Sequence, residues 1–336
     1  MQPNKSHLLS IDELTHILEE NSLPSISFYS LLTLATTIAT FGLLGNNAAT
    51  IIGAMIVAPL MNPIVSLAYG IISGRRGILK QSILTLLTGI IAVILLAFLL
   101  SKIVGAQVVG SEIFNRTTPN IVDLGVAIAS GAAAGLALSN RNISSALPGV
   151  AIAVALVPPL CVVGIGLALG DHAIVDIALN HHLNQSLDVA SGAFLLFLTN
   201  LAGIIISASV VFLLEQYGVL RKALLGLLIT LITLSILSLP LNNRWQEFLL
   251  SQKIHREINQ FAVIAAQEKD WIKRVDAKDI NIEKQPDKIL VFLSVSAPKD
   301  AISKEDVKQL QQFLTEKNKL PVILEMQVFP FEVFKT

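Results

Sequence analysis

Gly53-Ala-Met-Ile-Val-Ala-Pro-Leu-Met-Asn-Pro-Ile-Val-Ser-Leu-Ala-Tyr-Gly70 is apolar enough to enter a bilayer, yet Pro59 and Pro63 interrupt it at mid-length. Proline supplies no N–H and clashes with the turn before it. In hydrocarbon a freed carbonyl finds no water, so such a break persists only inside protein or beside a wet cavity. The run from Ala48 to Ile72 would measure about 37 Å as a straight helix, against a hydrocarbon core of about 30 Å. The pattern predicts two half-helices that meet near the membrane midplane.

A second stretch, Ala153-Val-Ala-Leu-Val-Pro-Pro-Leu-Cys-Val-Val-Gly-Ile-Gly-Leu-Ala-Leu-Gly170, repeats the feature. Laid over Gly53–Gly70 without gaps, it matches at Val57/Val157, Pro59/Pro159, Leu60/Leu160, Leu67/Leu167, Ala68/Ala168 and Gly70/Gly170. Apolar letters match cheaply between membrane helices, so the proline and glycine matches carry the weight. Two flanking alignments keep the same order. Gly42-Leu43 before Asn47 resembles Gly135-Leu136 before Asn140, and Leu84-Thr85-x-Leu87-x-Gly89-Ile90-Ile91 resembles Leu198-Thr199-x-Leu201-x-Gly203-Ile204-Ile205. A three-helix unit therefore appears twice. An odd number of spans inverts the second copy, and paired interrupted helices in inverted repeats point to a transporter site.

The composition agrees with a polytopic membrane protein. The 336 residues are 53% hydrophobic and 14% charged, with a mean hydropathy of +0.68. Soluble domains carry about 25% charged residues. The net charge of zero is spread unevenly, most charges preceding Phe28 or following Asn242. Cys161 is the single cysteine, so an intrachain disulfide and a thiolate metal cluster are both excluded. Acidic Asp12, Glu13, Glu19 and Glu20 are wrong for a basic cleavable leader.

Along the chain, residues 1–27 read as an amphipathic cytoplasmic segment, with Ser10-x-x-Glu13 as a capping box. Residues 28–214 form the inverted-repeat membrane domain, with repeat one at 28–105 and repeat two at 121–214. Residues 215–242 hold a seventh span, and 243–336 a soluble α+β domain of order αββαβ, of ferredoxin-like type. Gly131-x-x-x-Gly135 is a close-packing helix motif and a candidate face for a homo-oligomer. Arg75, Arg76, Lys80, Arg141, Arg221 and Lys222 fall in loops that share one side. The positive-inside bias then puts the N-terminus in the cytoplasm and, with seven spans, the C-terminal domain outside a plasma or inner membrane.

The two motifs Gly53-Ala-Met-Ile-Val-Ala-Pro-Leu-Met-Asn-Pro-Ile64 and Leu147-Pro-Gly-Val-Ala-Ile-Ala-Val-Ala-Leu-Val-Pro-Pro-Leu160 resemble a known family. It is the bacterial and archaeal uncharacterised hydrophobic-domain family of integral membrane proteins, a domain of unknown function. The likeness runs from about Phe28 to Leu214. It implies a membrane location and no established activity.

Candidate site residues follow from the breaks. A half-helix end presents free carbonyls that favour cations, and a half-helix start presents N–H groups that favour anions. Pro59, Pro63, Pro158 and Pro159 mark these ends, and Asn62 and Asn200 add neutral donors and acceptors at similar depth. Asn200 has an equally good reading as a tie between helices. No ionisable residue falls mid-span, which argues against a relay of buried carboxylates. Asp123 and Asp188 sit near the outer ends of their spans and form a candidate acidic mouth with Glu112, Asp171 and Asp176. His172, Asp176, His181 and His182 read better as an exposed polar loop than as a metal site. No HExxH, Walker or Gly-x-Ser-x-Gly motif occurs. The sequence thus predicts a transporter or channel for a small solute or ion, with lipid as its surroundings. It predicts no enzyme activity, cofactor, metal or nucleic-acid partner. The alternative is a membrane-anchored sensor or assembly protein acting through its C-terminal domain.

Overall fold

The computed structural model describes residues 8–331, leaving out 106–107, 118–119, 144–145, 170–173, 176–185, 219–225, 227, 229–231, 233–249, 251–252, 255, 259, 262–275, 285–286, 299–301 and 319. It divides into two compact units, Met1–Leu241 and Asn242–Thr336.

In the first unit a short helix α1 (Ile11–Ser22) precedes α2 (Ile26–Leu44), α3 (Ala48–Val57), α4 (Met61–Ser73) and α5 (Arg76–Val104). A two-residue strand β1 (Val108–Val109) and one turn of helix α6 (Ser111–Phe114) follow. Then come α7 (Ile121–Ser139), α8 (Ala146–Leu169), β2 (Ile174–Val175) and α9 (Ser186–Leu214). Five of these helices, α2, α5, α7, α8 and α9, are long and apolar enough to cross a membrane, and the bent pair α3–α4 makes a sixth candidate. Their outer faces are apolar. On α5, Ile83, Leu87, Ile91, Leu95, Leu99 and Ile103 recur every fourth residue and are all exposed. A stripe of this length in water would be an aggregation face, whereas lipid covers it without cost. The opposite case is α8, whose residues from Ile152 to Ile165 are buried apart from Val154. It packs against α2, α3, α5, α7 and α9 and is the hub of the unit.

The helix ends gather in two sets. In one set, Leu9 N–H donates to the Ser139 carbonyl at 3.0 Å, Arg141 meets Glu13 at 2.5 Å, and Tyr217 Oη donates to the Leu9 carbonyl at 2.8 Å. In the other, Asn46 Oδ1 accepts from Ser111 Oγ at 3.1 Å and from Glu112 N–H at 2.9 Å, while β1 pairs in parallel with β2. Asn46 adopts a left-handed φ of 49°, a conformation asparagine tolerates better than most residues.

The α1 helix starts at the expected capping box: Ser10 Oγ accepts from Glu13 N–H, and Glu13 answers to Ser10 N–H. Its apolar face, Leu14 and Leu18, is buried in protein. Thr15 meets Tyr69 at 2.6 Å, Ser66 donates to the Leu18 carbonyl at 2.8 Å, and Thr85 donates to the Ser22 carbonyl at 2.8 Å. It thus braces α4 and α5.

Three expectations need correction. The helix holding Pro158 and Pro159 is not broken: α8 runs without interruption from Ala146 to Leu169 with both prolines inside it. A neighbouring side chain replaces a lost hydrogen bond there, as described below. Gly131 and Gly135 do not present an open face for a second copy, because α9 of the same chain occupies it. A Cβ on Gly131 would lie 2.3 Å from Ser207 Oγ and 2.4 Å from the Ile204 carbonyl oxygen. Lastly, the C-terminal sheet is not ferredoxin-like. There β3 (Asp276–Lys284) pairs antiparallel with β4 (Ile289–Pro298), and β4 pairs directly in parallel with β5 (Val322–Phe331). The ferredoxin-like arrangement inserts a strand between the two parallel partners. Here α10 (Lys304–Lys317) makes an ordinary crossover, capped by Ser303. Alternate β4 residues Ile289, Val291, Leu293 and Val295 pack on Leu310 and Leu314. The predicted seventh span lies almost entirely outside the described residues, as do His172, Asp176, His181 and His182.

Candidate functional site

The site begins with what proline takes away. In an α-helix each N–H donates to the carbonyl four residues earlier. Pro158 and Pro159 therefore deprive the carbonyls of Val154 and Ala155 of their usual donors. Ala155 is buried, and its carbonyl accepts instead from Asn200 Nδ2 on α9 at 3.0 Å. An unpaired buried carbonyl costs about 1–3 kcal/mol, and this bond removes that cost from the continuous α8. It also fixes Asn200, which is 3% exposed. The other end of the amide, Oδ1, is buried without a hydrogen-bond partner among the described residues.

Asn200 forms the inner end of a cleft of about 400 Å³. Val154, Ala155 and Pro159 of α8, Leu196 of α9, and Val126 of α7 supply its walls. Asp123, in the first turn of α7, adds a carboxylate, and Glu112, Asn115 and Arg116 close the far end. Asn200 lies fourteen residues into α9, roughly 20 Å along its axis. The cleft thus joins a charged rim to a polar group deep among apolar helices.

The rim is held locally. Arg116 Nη1 donates to Glu112 Oε2 at 2.7 Å and also to the Glu112 carbonyl, an i,i+4 pair that is about one-fifth exposed. At the start of α7, Asn120 Oδ1 accepts from Asp123 N–H at 2.9 Å and caps the helix. Asp123 has no ion-pair partner among the described residues.

The structure brings Asp123, Pro159 and Asn200 to one cleft, with Pro158 adjacent on α8. It does not bring the first break there. Pro59 lies between α3 and α4, which meet at 56°. Pro63 falls in the first turn of α4, where a missing N–H costs nothing. Both Asn62 and Pro59 are half-buried and outside the cleft lining. Asp188 belongs to α9, but its side chain lies outside the described residues. Sequence reading placed Glu112 at the mouth with Asp123, but missed Val126, Val154, Ala155 and Leu196 as walls and Asn115 and Arg116 at the rim. Ala155 had a signal, being four residues before Pro159.

These features define an α-helical polytopic membrane domain built around a buried, proline-bearing helix. Residues 55–206 match the family described as a domain of unknown function (DUF389). All six proline and asparagine candidates fall inside the match. The uncharacterised protein MJ0678 of Methanocaldococcus jannaschii is 32% identical over 189 residues, 56% of this chain. The aligned region covers 53% of that relative, so the chain spans about half of its length.

Proposed function

We propose that the membrane unit is a secondary transporter or channel for a small solute or ion, and that the solute binds in the cleft beside Pro159 and Asn200. The observation that carries this reading is the cleft itself. A bundle made only to anchor a domain has no use for a polar recess ending at a buried, half-satisfied amide. Each such group is costly, and it persists most economically where a ligand or its water meets it.

Over residues 26–214 the architecture we propose is six crossings in two inverted halves, with α3 and α4 together forming the second crossing. The gathering of helix ends favours it. Asn46, which precedes α3, sits with Ser111 and Glu112, whereas Ile72 near the end of α4 sits against Gly218, next to Tyr217 of the opposite set. The halves also interlock alike. Gly164 of α8 lies against Ile94, Ala97 and Phe98 of α5. In the other half Ser209 of α9 bonds the Ala68 carbonyl of α4 at 3.4 Å, and Phe212 packs on Tyr69. The third helix of each half thus lies on the middle helix of the other. With the arginine loops inside, the cleft rim faces the outer side.

The test is occlusion. Val154 lines the cleft and is 41% exposed, so a bulky residue there fits without disturbing the core. Val154→Trp should abolish uptake into proteoliposomes of whichever solute the parent chain moves from a panel of ions and small acids, at unchanged thermal stability. Unchanged uptake in Val154→Trp would place the path elsewhere.

A further inference from the structure

The polar groups of the cleft are unequally engaged, and the imbalance has a sign. Asn200 Nδ2 directs one of its two N–H groups to the Ala155 carbonyl at 3.0 Å. Arg116 Nη1 is spent on Glu112, both on the Oε2 carboxylate oxygen and on the carbonyl. Beside these paired donors the cleft holds oxygen acceptors. Asn200 Oδ1, buried at the inner end, has no partner among the described residues. Val154 is a wall residue whose carbonyl Pro158 deprives of its helical donor. Asp123 contributes a carboxylate that the Asn120 backbone N–H and the Arg116 charge both act on, with no salt bridge of its own among the described residues.

The charges add up the same way. The cleft wall carries Glu112, Arg116 and Asp123. Glu112 and Arg116 neutralise one another at 2.7 Å. One negative charge is left over, between the rim and the amide, in walls of Val126, Val154 and Leu196. A cleft lined by one sign of charge between apolar walls concentrates the opposite ion. Carboxylate, amide and carbonyl oxygens are also the hard ligands that alkali-metal ions and ammonium groups prefer, and none of them suits an anion.

We infer that the cleft selects a cation, either an alkali-metal ion or a small ammonium compound, with Asp123 as the charged contact and Asn200 Oδ1 as the inner neutral one. This rests on the reading of the cleft as the solute path. Arg116 is the rim's counterweight: paired to Glu112, it leaves Asp123 as the group an incoming solute meets.

The experiment uses the full chain in proteoliposomes, with sodium, potassium and methylammonium as cation arms and chloride and acetate as anion arms. The sodium and potassium arms against the methylammonium arm distinguish the two sources of positive charge. The expected result is uptake in at least one cation arm and none in the anion arms. Asp123→Asn keeps the size and polarity of the side chain and should cut cation uptake about tenfold or more at low ionic strength, with a smaller loss as salt rises. Glu112→Gln is a second variant that leaves α7 untouched. It frees the Arg116 charge and should cut cation uptake in the same direction. Anion uptake that Val154→Trp blocks and Asp123→Asn leaves intact or raises would overturn the cation assignment while sparing the cleft as the path. Cation uptake blocked by Val154→Trp but unchanged in both charge variants would overturn it as well. No uptake in any arm, or uptake that Val154→Trp does not touch, would remove the path and the assignment together.

Discussion

The two proline sites began as one motif and ended as two structures. At Pro59 the chain breaks, and α3 and α4 diverge by 56°. At Pro158 and Pro159 the helix carries on through both residues. Two prolines stand at each site, so proline content does not decide the outcome. Placement and neighbours do. In the first site Pro59 follows the end of α3 and Pro63 falls in the first turn of α4, so neither removes a bond from a helix interior. In the second, the two losses are adjacent, and Asn200 repairs one of them from another helix. The position that aligns with Asn200 in the first half is Leu86, which has nothing to donate. In this chain the helix continues where a donor on a packed neighbour reaches the freed carbonyl.

The two halves also differ in how tightly their outer helices meet, and this gives the largest expected effect. Gly131 of α7 allows backbone contact with α9, where an added Cβ would lie 2.4 Å from the Ile204 carbonyl oxygen. Gly89 of α5 faces α2 through the ends of Leu32 and Phe28, each 3.4 Å from an added Cβ. We expect Gly131→Ala to cost about 3 kcal/mol or more, as overpacking against backbone does, and Gly89→Ala less than about 1 kcal/mol. Thermal unfolding in detergent checks both. Equal losses would end the claim that the second half is the more tightly joined.

A smaller effect separates the matched threonines. Thr85 Oγ1 donates to the Ser22 carbonyl of α1 at 2.8 Å, whereas Thr199 Oγ1 donates back to Leu195 of its own helix. Thr85→Val should cost about 1 kcal/mol, and Thr199→Val a few tenths. It should also loosen α1, read as faster amide exchange from Leu14 to Ser22. A Thr199→Val loss as large as that of Thr85→Val would show that the brace from α1 adds nothing.

Much of this was legible in the sequence, and the parts that were not share a cause. The long apolar helices could be read because lipid demands about twenty apolar residues, and that demand is local. The start of α1 and that of α10 could be read from Ser10 and Ser303 for the same reason. The close-packing motif at Gly131 was visible, but its partner was not, since a small-residue stripe does not say whether α9 or a second copy fills it. The intact α8 was the main surprise. Its continuity depends on one amide forty-five residues later in the chain, a pairing that no local pattern encodes. The cleft was half visible. Asp123, Pro159 and Asn200 were singled out by chemistry, while Val154 and Leu196 became walls only through the packing of α7, α8 and α9. Asn62 had the right chemistry beside a proline and yet lies outside the cleft lining.

The claim on which the site depends is that Asn200 stands in for the hydrogen bond that Pro159 removes. A double-mutant cycle measures that directly, by comparing the stability cost of Asn200→Leu in the parent chain with its cost in Pro159→Ala, where the backbone N–H is restored. The account predicts a cost of about 1–2 kcal/mol in the parent that falls by at least about 1 kcal/mol when residue 159 can donate to Ala155 itself. An equal cost in both backgrounds would contradict it, because Asn200 would then be stabilising something other than the carbonyl that Pro159 leaves free.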